Sequence, residues 1–191
     1  MENATPQTFV NEYFDSFARL VTEAKTLAPD LNTAKHVLQT AGENGQTIYL
    51  VGNGGSAAMA SHLAVDLTKS AKLRAMTFND SSLFTCLAND RGHENWMAEA
   101  IRHYGRPNDV LIAISSSGNS ANVRNACVAA KELNFAHVIT FSGFKADNPL
   151  RQLGDLNFYV SDSGYNHVEN MHQFLLTSIV DLIIGKREYS S

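Results

Sequence analysis

Cysteine is nearly missing from this chain: Cys86 and Cys127 are the two among 191 residues. They stand in no metal-type spacing, so they read as small apolar core residues in a reducing compartment. Positive charge is also in short supply. Fifteen Lys and Arg face nineteen Asp and Glu, a net charge of -4, which excludes the basic face that general nucleic-acid binding needs. No apolar run is long enough to span a bilayer, and the first residues are polar and acidic rather than signal-like. The expectation is a cytoplasmic protein with neither a membrane nor a direct nucleic-acid partner. Repeats, linkers and low-complexity tracts are missing too. One domain over 1–191 is therefore expected, with a helical segment at 1–45 and an α/β core at 46–191. With 44% hydrophobic residues, the chain can fill a sizeable core.

The most informative run present is Leu111-Ile-Ala-Ile-Ser-Ser-Ser-Gly-Asn-Ser120. An apolar stretch from Asp109 to Ile114 stops abruptly at Ser115, Ser116, Ser117, Gly118, Asn119 and Ser120, and a helix-forming segment from Ala121 to Asn134 follows. This is a buried strand, a tight polar turn and a helix start. Hydroxyls and backbone N–H groups converge where the helix dipole is positive, which suits a phosphate. The turn has neither the Lys of a P-loop nor the spacing of a dinucleotide fingerprint, so a phosphomonoester, and above all a phosphosugar, is the expected ligand. The plain alternative is a serine-rich helix cap without a ligand. A second turn of the same kind, Val51-Gly-Asn-Gly-Gly-Ser56, argues against it. There Gly52, Gly54 and Gly55 permit close backbone approach, and Asn53 and Ser56 supply polar tips.

Between and around these turns the chain alternates. Thr8 to Glu43 carries Phe9, Tyr13, Phe17, Leu20, Ala24 and Leu27 at spacings of three and four, a helical stripe that Pro29 breaks in two. The stripe reads as packing surface or an oligomer contact. Strands are expected at Thr47–Gly52, Leu73–Phe78, Val110–Ile114, Ala136–Phe141 and Leu156–Val160. Helices are expected at Ser56–Ser70, Ser81–Ala88, Glu94–Tyr104, Ala121–Leu133, a short piece near Pro149–Leu153, and Tyr165–Lys186. Alternation of this kind predicts an α/β fold: a doubly wound, flavodoxin-like, five-stranded parallel sheet with ligands at the strand C-termini.

Three further groups can carry chemistry. His62 and Asp66, four apart, share one helix face and can bind zinc or divide acid and base work. An unremarkable surface pair is the alternative. Glu169 and His172, at i and i+3 on the last helix, form a second such couple, with His167 just before them. Asn89-Asp90, ahead of Arg91-Gly92, reads as a turn by default. His36, His93, His103 and His137 have no partner at useful spacing.

Taken together, these residues resemble the SIS (sugar isomerase) domain family, and within it the phosphoheptose isomerase group, over nearly the whole chain. Gly52-Asn-Gly-Gly-Ser56, Asn89-Asp90 and Ser115-Ser-Ser-Gly-Asn-Ser-Ala-Asn-Val123 carry the resemblance. It implies that Ser115, Ser116, Ser117 and Ser120 hold a substrate phosphate. It implies that Asn53, Gly54, Gly55, Ser56, Asn89, Asp90 and Glu169 line the sugar site. The reaction it implies converts sedoheptulose 7-phosphate to D-glycero-D-manno-heptose 7-phosphate through a cis-enediolate, at the entry to heptose for lipopolysaccharide. Such a step needs a base near C1 and C2, an acid for the oxygens and stabilisation of the enediolate; Asp66, His62, Glu169 and His172 are the candidates. The resemblance also implies a homotetramer with active sites at subunit interfaces. It implies zinc, held in the group by a His and a Glu on the second helix of the core and a Gln and a His on the last. The matching positions here are His62, Asp66, Glu169 and Thr177. The first is kept, the second is one methylene shorter, the third gains a charge, and the fourth loses a ligand. A non-catalytic phosphosugar-binding relative, acting as a protein partner such as a replication-initiator-associating factor, is the alternative reading.

Overall fold

The computed structural model describes residues 5–187. Its elements, in chain order, are α1 (Pro6–Glu23), a short 3-10 turn (Ala24–Leu27), α2 (Ala28–Glu43), β1 (Ile48–Val51), α3 (Gly55–Lys69), β2 (Ala75–Thr77), α4 (Ser81–Arg91), α5 (Trp96–Tyr104), β3 (Val110–Ser115), α6 (Ala121–Glu132), β4 (His137–Ser142), β5 (Leu156–Tyr159) and α7 (Tyr165–Ile184). The five strands form one sheet in the order β2-β1-β3-β4-β5, and every neighbouring pair is parallel. The expected doubly wound α/β architecture, with its added N-terminal helices, is what the chain adopts.

The sheet is apolar on both faces because its strands alternate between two cores. Ile48 and Leu50 of β1, with Ile112 and Ile114 of β3, pack on the side of α2, α3 and α7. Tyr49 and Val51, with Leu111 and Ala113, pack on the side of α5 and α6. The chain leaves β1 outward to β2, then returns past β1 to β3. The crevice between the C-terminal ends of β1 and β3 is therefore the switch point where ligands of this architecture sit. Asp109 holds the opposite end of β3 in place. Its buried carboxylate accepts the N–H groups of Thr47 at 2.8 Å and Arg106 at 2.7 Å.

Several boundaries differ from expectation. The break in the N-terminal segment falls before Pro29, since proline is at home in the first turn of α2, where its missing N–H costs nothing. Residues 149–153 form turns rather than a helix. The buried Asn148 occupies that stretch instead, its side-chain oxygen accepting Arg151 N–H at 3.1 Å. Asn89 and Asp90, read as a turn, lie inside α4, which runs on until Gly92 ends it with a φ of +83°. Cys127 is buried as expected, its thiol pushed up to about 12 by desolvation, but Cys86 is exposed on α4.

Candidate functional site

Both glycine- and serine-rich turns meet at the β1–β3 crevice. Asn53, Gly54, Gly55 and Ser56 from the first, and Ser115, Ser116, Ser117 and Ser120 from the second, line one cavity of 290 Å³ together with Glu169 and Tyr165 of α7. Gly54 takes a φ of +52° as the chain swings into α3, and Gly118 takes +66° in the serine turn. At Gly118 a Cβ would collide with the side chain of Asn148. The serine turn is folded on itself: Gly118 N–H reaches Ser115 O at 2.9 Å, Asn119 N–H reaches Ser117 Oγ at 3.2 Å, and Ser115 Oγ donates to Ser120 Oγ at 3.1 Å. The first N–H groups of α3 and α6 open at this cavity and lack intrahelical acceptors by geometry, so their dipoles favour an anion there.

A reciprocal amide pair locks the two turns together. Asn53 Nδ2 donates to Asn122 Oδ1 at 2.9 Å, and Asn122 Nδ2 donates to Asn53 Oδ1 at 2.8 Å. Asn122 is buried; it stood inside the serine-turn motif of the sequence but was given no role there. Glu169 reaches over from α7, with Ser116 Oγ donating to its Oε1 at 3.5 Å. Its carboxylate fills the space beside Gly55 where a side chain would stand.

The remaining candidates lie elsewhere. His62 stands seven residues beyond Gly55, two turns or about 10 Å along α3. Its Nε2 lies 3.2 Å from Asp66 Oδ2, with side-chain exposures of 58% and 23%. Gln173 of α7, which the sequence reading missed, puts its Nε2 3.2 Å from His62 Nδ1. It sits one turn after Glu169, and that i+4 relation was the available signal. His172 is turned to the core: it is fully buried, donates from Nε2 to Ser142 O at 3.1 Å, and is pushed down to about 4 by desolvation. Three residues past Glu169, it lies on the sheet-facing side of α7 rather than the cavity side. His167 packs against α1, its ring 4.3 Å from that of Tyr13 and its Nε2 3.0 Å from Ser16 Oγ. Asn89 and Asp90 are exposed on α4 and hydrogen-bond to each other; they do not line the cavity of their own chain.

Three donors of the implied kind come together on α3 and α7. A 3.2 Å separation lets His62 Nε2 and Asp66 Oδ2 share a cation, and the side-chain amide of Gln173 beside His62 can supply a third donor, the number a catalytic zinc takes from protein. Among the described residues no three His, Cys, Asp or Glu side chains cluster. Glu169 is directed at Ser116, and the Thr177 hydroxyl is spent on the carbonyls of Gln173 and Phe174 in its own helix.

Residues 12–143 match the family model described as SIS domain. The phosphoheptose isomerase of Helicobacter hepaticus is 31% identical over 183 residues, covering 93% of this chain and 92% of the relative. That of Rhodospirillum rubrum is 35% identical over 173 residues, covering 87% and 88%. Among solved structures, the phosphoheptose isomerase GmhA from Neisseria gonorrhoeae superposes with a TM-score of 0.87 at 32% identity, covering 94% of this chain and 99% of the other. A phosphoheptose isomerase from Francisella tularensis gives 0.88 at 26%, covering 96% and 100%.

Proposed function

The chain belongs to the SIS domain family and, within it, to the phosphoheptose isomerases, and from that premise we propose that it interconverts sedoheptulose 7-phosphate and D-glycero-D-manno-heptose 7-phosphate. The observation that carries the reading is the single cavity into which both turns and Glu169 converge. The substrate phosphate binds at the serine turn, where hydroxyls and helix N-termini face it. The sugar then runs along α3, past Glu169, toward His62 and Asp66. Two helical turns suit the length of an extended seven-carbon chain, so one molecule reaches both ends. Asp66 moves the proton between C1 and C2, His62 serves the oxygens, and Glu169 receives sugar hydroxyls midway. Gripping the phosphate lets remote binding energy act on the reacting carbons.

The same reading takes the assembly to be a homotetramer with sites at subunit interfaces. Apolar side chains left exposed on α1 (Phe9, Val10, Phe14) and beside His62 (Val65, Phe174) support it. A second copy seated there would bring further groups, Asn89 and Asp90 among them, within reach of the open end of the site. The setting that goes with this reading is cytoplasmic, at the entry to heptose for lipopolysaccharide. Among the described residues no helix is long and apolar enough to cross a membrane.

The test is direct. Purified protein incubated with sedoheptulose 7-phosphate is followed by proton NMR for the aldose phosphate. Product scaling with protein is expected, and Asp66→Asn should lower the rate by about a hundredfold or more while sugar-phosphate binding persists. Saturable binding without product from the wild-type protein would overturn the isomerase in favour of a binding role.

A further inference from the structure

Among the described residues, Lys72, Asn108, Asn134 and Phe144 are the non-glycine residues with a positive φ. Asparagine visits that region readily, whereas a bulky aromatic stays there only where its surroundings hold it. Phe144, at +61°, is held from three sides. Its N–H donates to Asp162 O at 2.8 Å, and its carbonyl accepts the Tyr159 hydroxyl at 2.9 Å. Its ring meets that of Tyr165 in a T-shaped contact, with centroids 4.8 Å apart. Gly143, just before it, donates to Ser116 O at 2.9 Å, so the strained segment is tied to the serine turn. Tyr165 opens α7 one turn ahead of Glu169 and lines the same cavity, yet it is 60% exposed. An aromatic surface is thus left bare between the serine turn and Glu169, at the expense of strain in the residue packed against it.

We propose that Tyr165 is a specificity-determining residue that reads the carbon chain of the phosphosugar, and that Phe144 is the positioning residue that sets its ring. The inference rests on the phosphosugar reading of the cavity and deepens it. The serine turn meets only the phosphate, so by itself it cannot tell one phosphomonoester from another. A sugar that is gripped there and runs on past Glu169 passes Tyr165, which shares that face of α7 at i and i+4. Its C–H groups then pack on the tyrosine ring while its hydroxyls face the Glu169 carboxylate. Inorganic phosphate gains nothing from that ring. Phe144 touches no substrate in this arrangement and acts through the tyrosine: without its ring, Tyr165 loses the contact that fixes its side chain over the cavity.

Calorimetric titration of the full chain with two probes, sedoheptulose 7-phosphate and inorganic phosphate, tests it. The wild type should bind the sugar phosphate more tightly than phosphate. Tyr165→Ala should weaken the sugar phosphate about tenfold and leave phosphate unchanged, and Tyr165→Phe, which keeps the ring, should restore the affinity. Phe144→Gly keeps the backbone conformation without strain, so it removes the ring and not the turn. It should show the same selective loss, and the double variant Phe144→Gly/Tyr165→Ala should lose no more than Tyr165→Ala alone. A merely structural role for either residue would weaken both probes together. Equal losses for the two probes, an unchanged sugar-phosphate affinity in Tyr165→Ala, or additive losses in the double variant would each overturn the inference and leave the isomerase reading standing. A wild type that binds the sugar phosphate no better than phosphate would overturn the phosphosugar reading and the inference with it.

Discussion

Gly55 has no side chain, and the Glu169 carboxylate occupies the place where one would stand. Gly55→Ala therefore acts on the cavity rather than on the fold. Its φ is not positive, alanine is favourable in a helix, and the atom that must yield is the far end of a flexible side chain. The expected outcome is a stability change within about 0.5 kcal/mol and a loss of isomerisation of up to roughly a hundredfold, because Glu169 is pushed out of register with the sugar. Gly118→Ala is the contrast. There φ is +66°, and the obstacle is the buried Asn148, whose amide donates to Ser142 Oγ, Gly143 O and Lys145 O at 3.1, 3.2 and 2.8 Å. That variant should lose about 1–3 kcal/mol as well as phosphate binding. Thermal melting with and without inorganic phosphate separates the two, and an equal loss of stability in both would refute the distinction. The turns were legible in the sequence because glycine and serine advertise backbone freedom and hydroxyls. Gln173, one turn after Glu169, and Asn122, inside the serine-turn motif, were harder to assign a role, since an amide on a helix looks the same whether it faces water or a partner side chain. His172 looked functional by its spacing from Glu169, but on a curved surface three residues on is a different face, here the core.

Strands declared themselves more plainly than helix ends, and the reason is visible in α4. Val110 to Ile114 is an unbroken apolar run because both faces of β3 are covered. No residue of α4 is fully buried; it is held through Leu83, Phe84, Leu87 and Ala88, which are only partly covered. Its amphipathic pattern is accordingly weak, and the polar Asn89-Asp90 at its end passed for a turn. What no pattern within one element could show is how two elements are coupled. The Asn53–Asn122 amide pair links the turn after β1 to the start of α6, 69 residues away. Either alanine substitution leaves the other amide short of its partner in a half-buried place, at a cost of about 1–3 kcal/mol. The second substitution then removes a group that has already lost its bond. Urea denaturation of Asn53→Ala, Asn122→Ala and the double variant should give a coupling of at least about 0.5 kcal/mol. The same cycle read by phosphate affinity should also be non-additive. Additive losses in both would mean that the two turns fold and bind independently.

At the scale of the whole molecule, the doubly wound arrangement pushes α7 hard against the sheet, and His172 is caught between them. Its ring lies edge-on to Phe141 at 5.8 Å. Its Nε2 donates to Ser142 O, while its Nδ1 has no partner among the described residues. The folded protein therefore demands the neutral ring, and burial drives its pKa from the ordinary 6.5 to about 4, the Ser142 carbonyl offsetting part of that shift. The consequence for stability has a definite sign. The folded pKa lies below the unfolded one, so between pH 6.5 and pH 4 the unfolded chain binds more protons at this site. Stability is complete above about pH 6.5 and is lost as pH falls through the window, by about 3 kcal/mol at most for a shift of this size. The carboxylates and the other histidines contribute their own acid dependence, so the informative quantity is a difference between proteins. His172→Phe keeps an aromatic ring beside Phe141 and removes the titrating group. It gives up the bond to Ser142, so it should be less stable at pH 7. Its unfolding free energy should then fall less steeply than that of the wild type between pH 6.5 and 4, and the two curves should converge toward acid. Parallel curves from chemical denaturation across that range would mean that His172 accepts its proton without opening the α7–sheet interface.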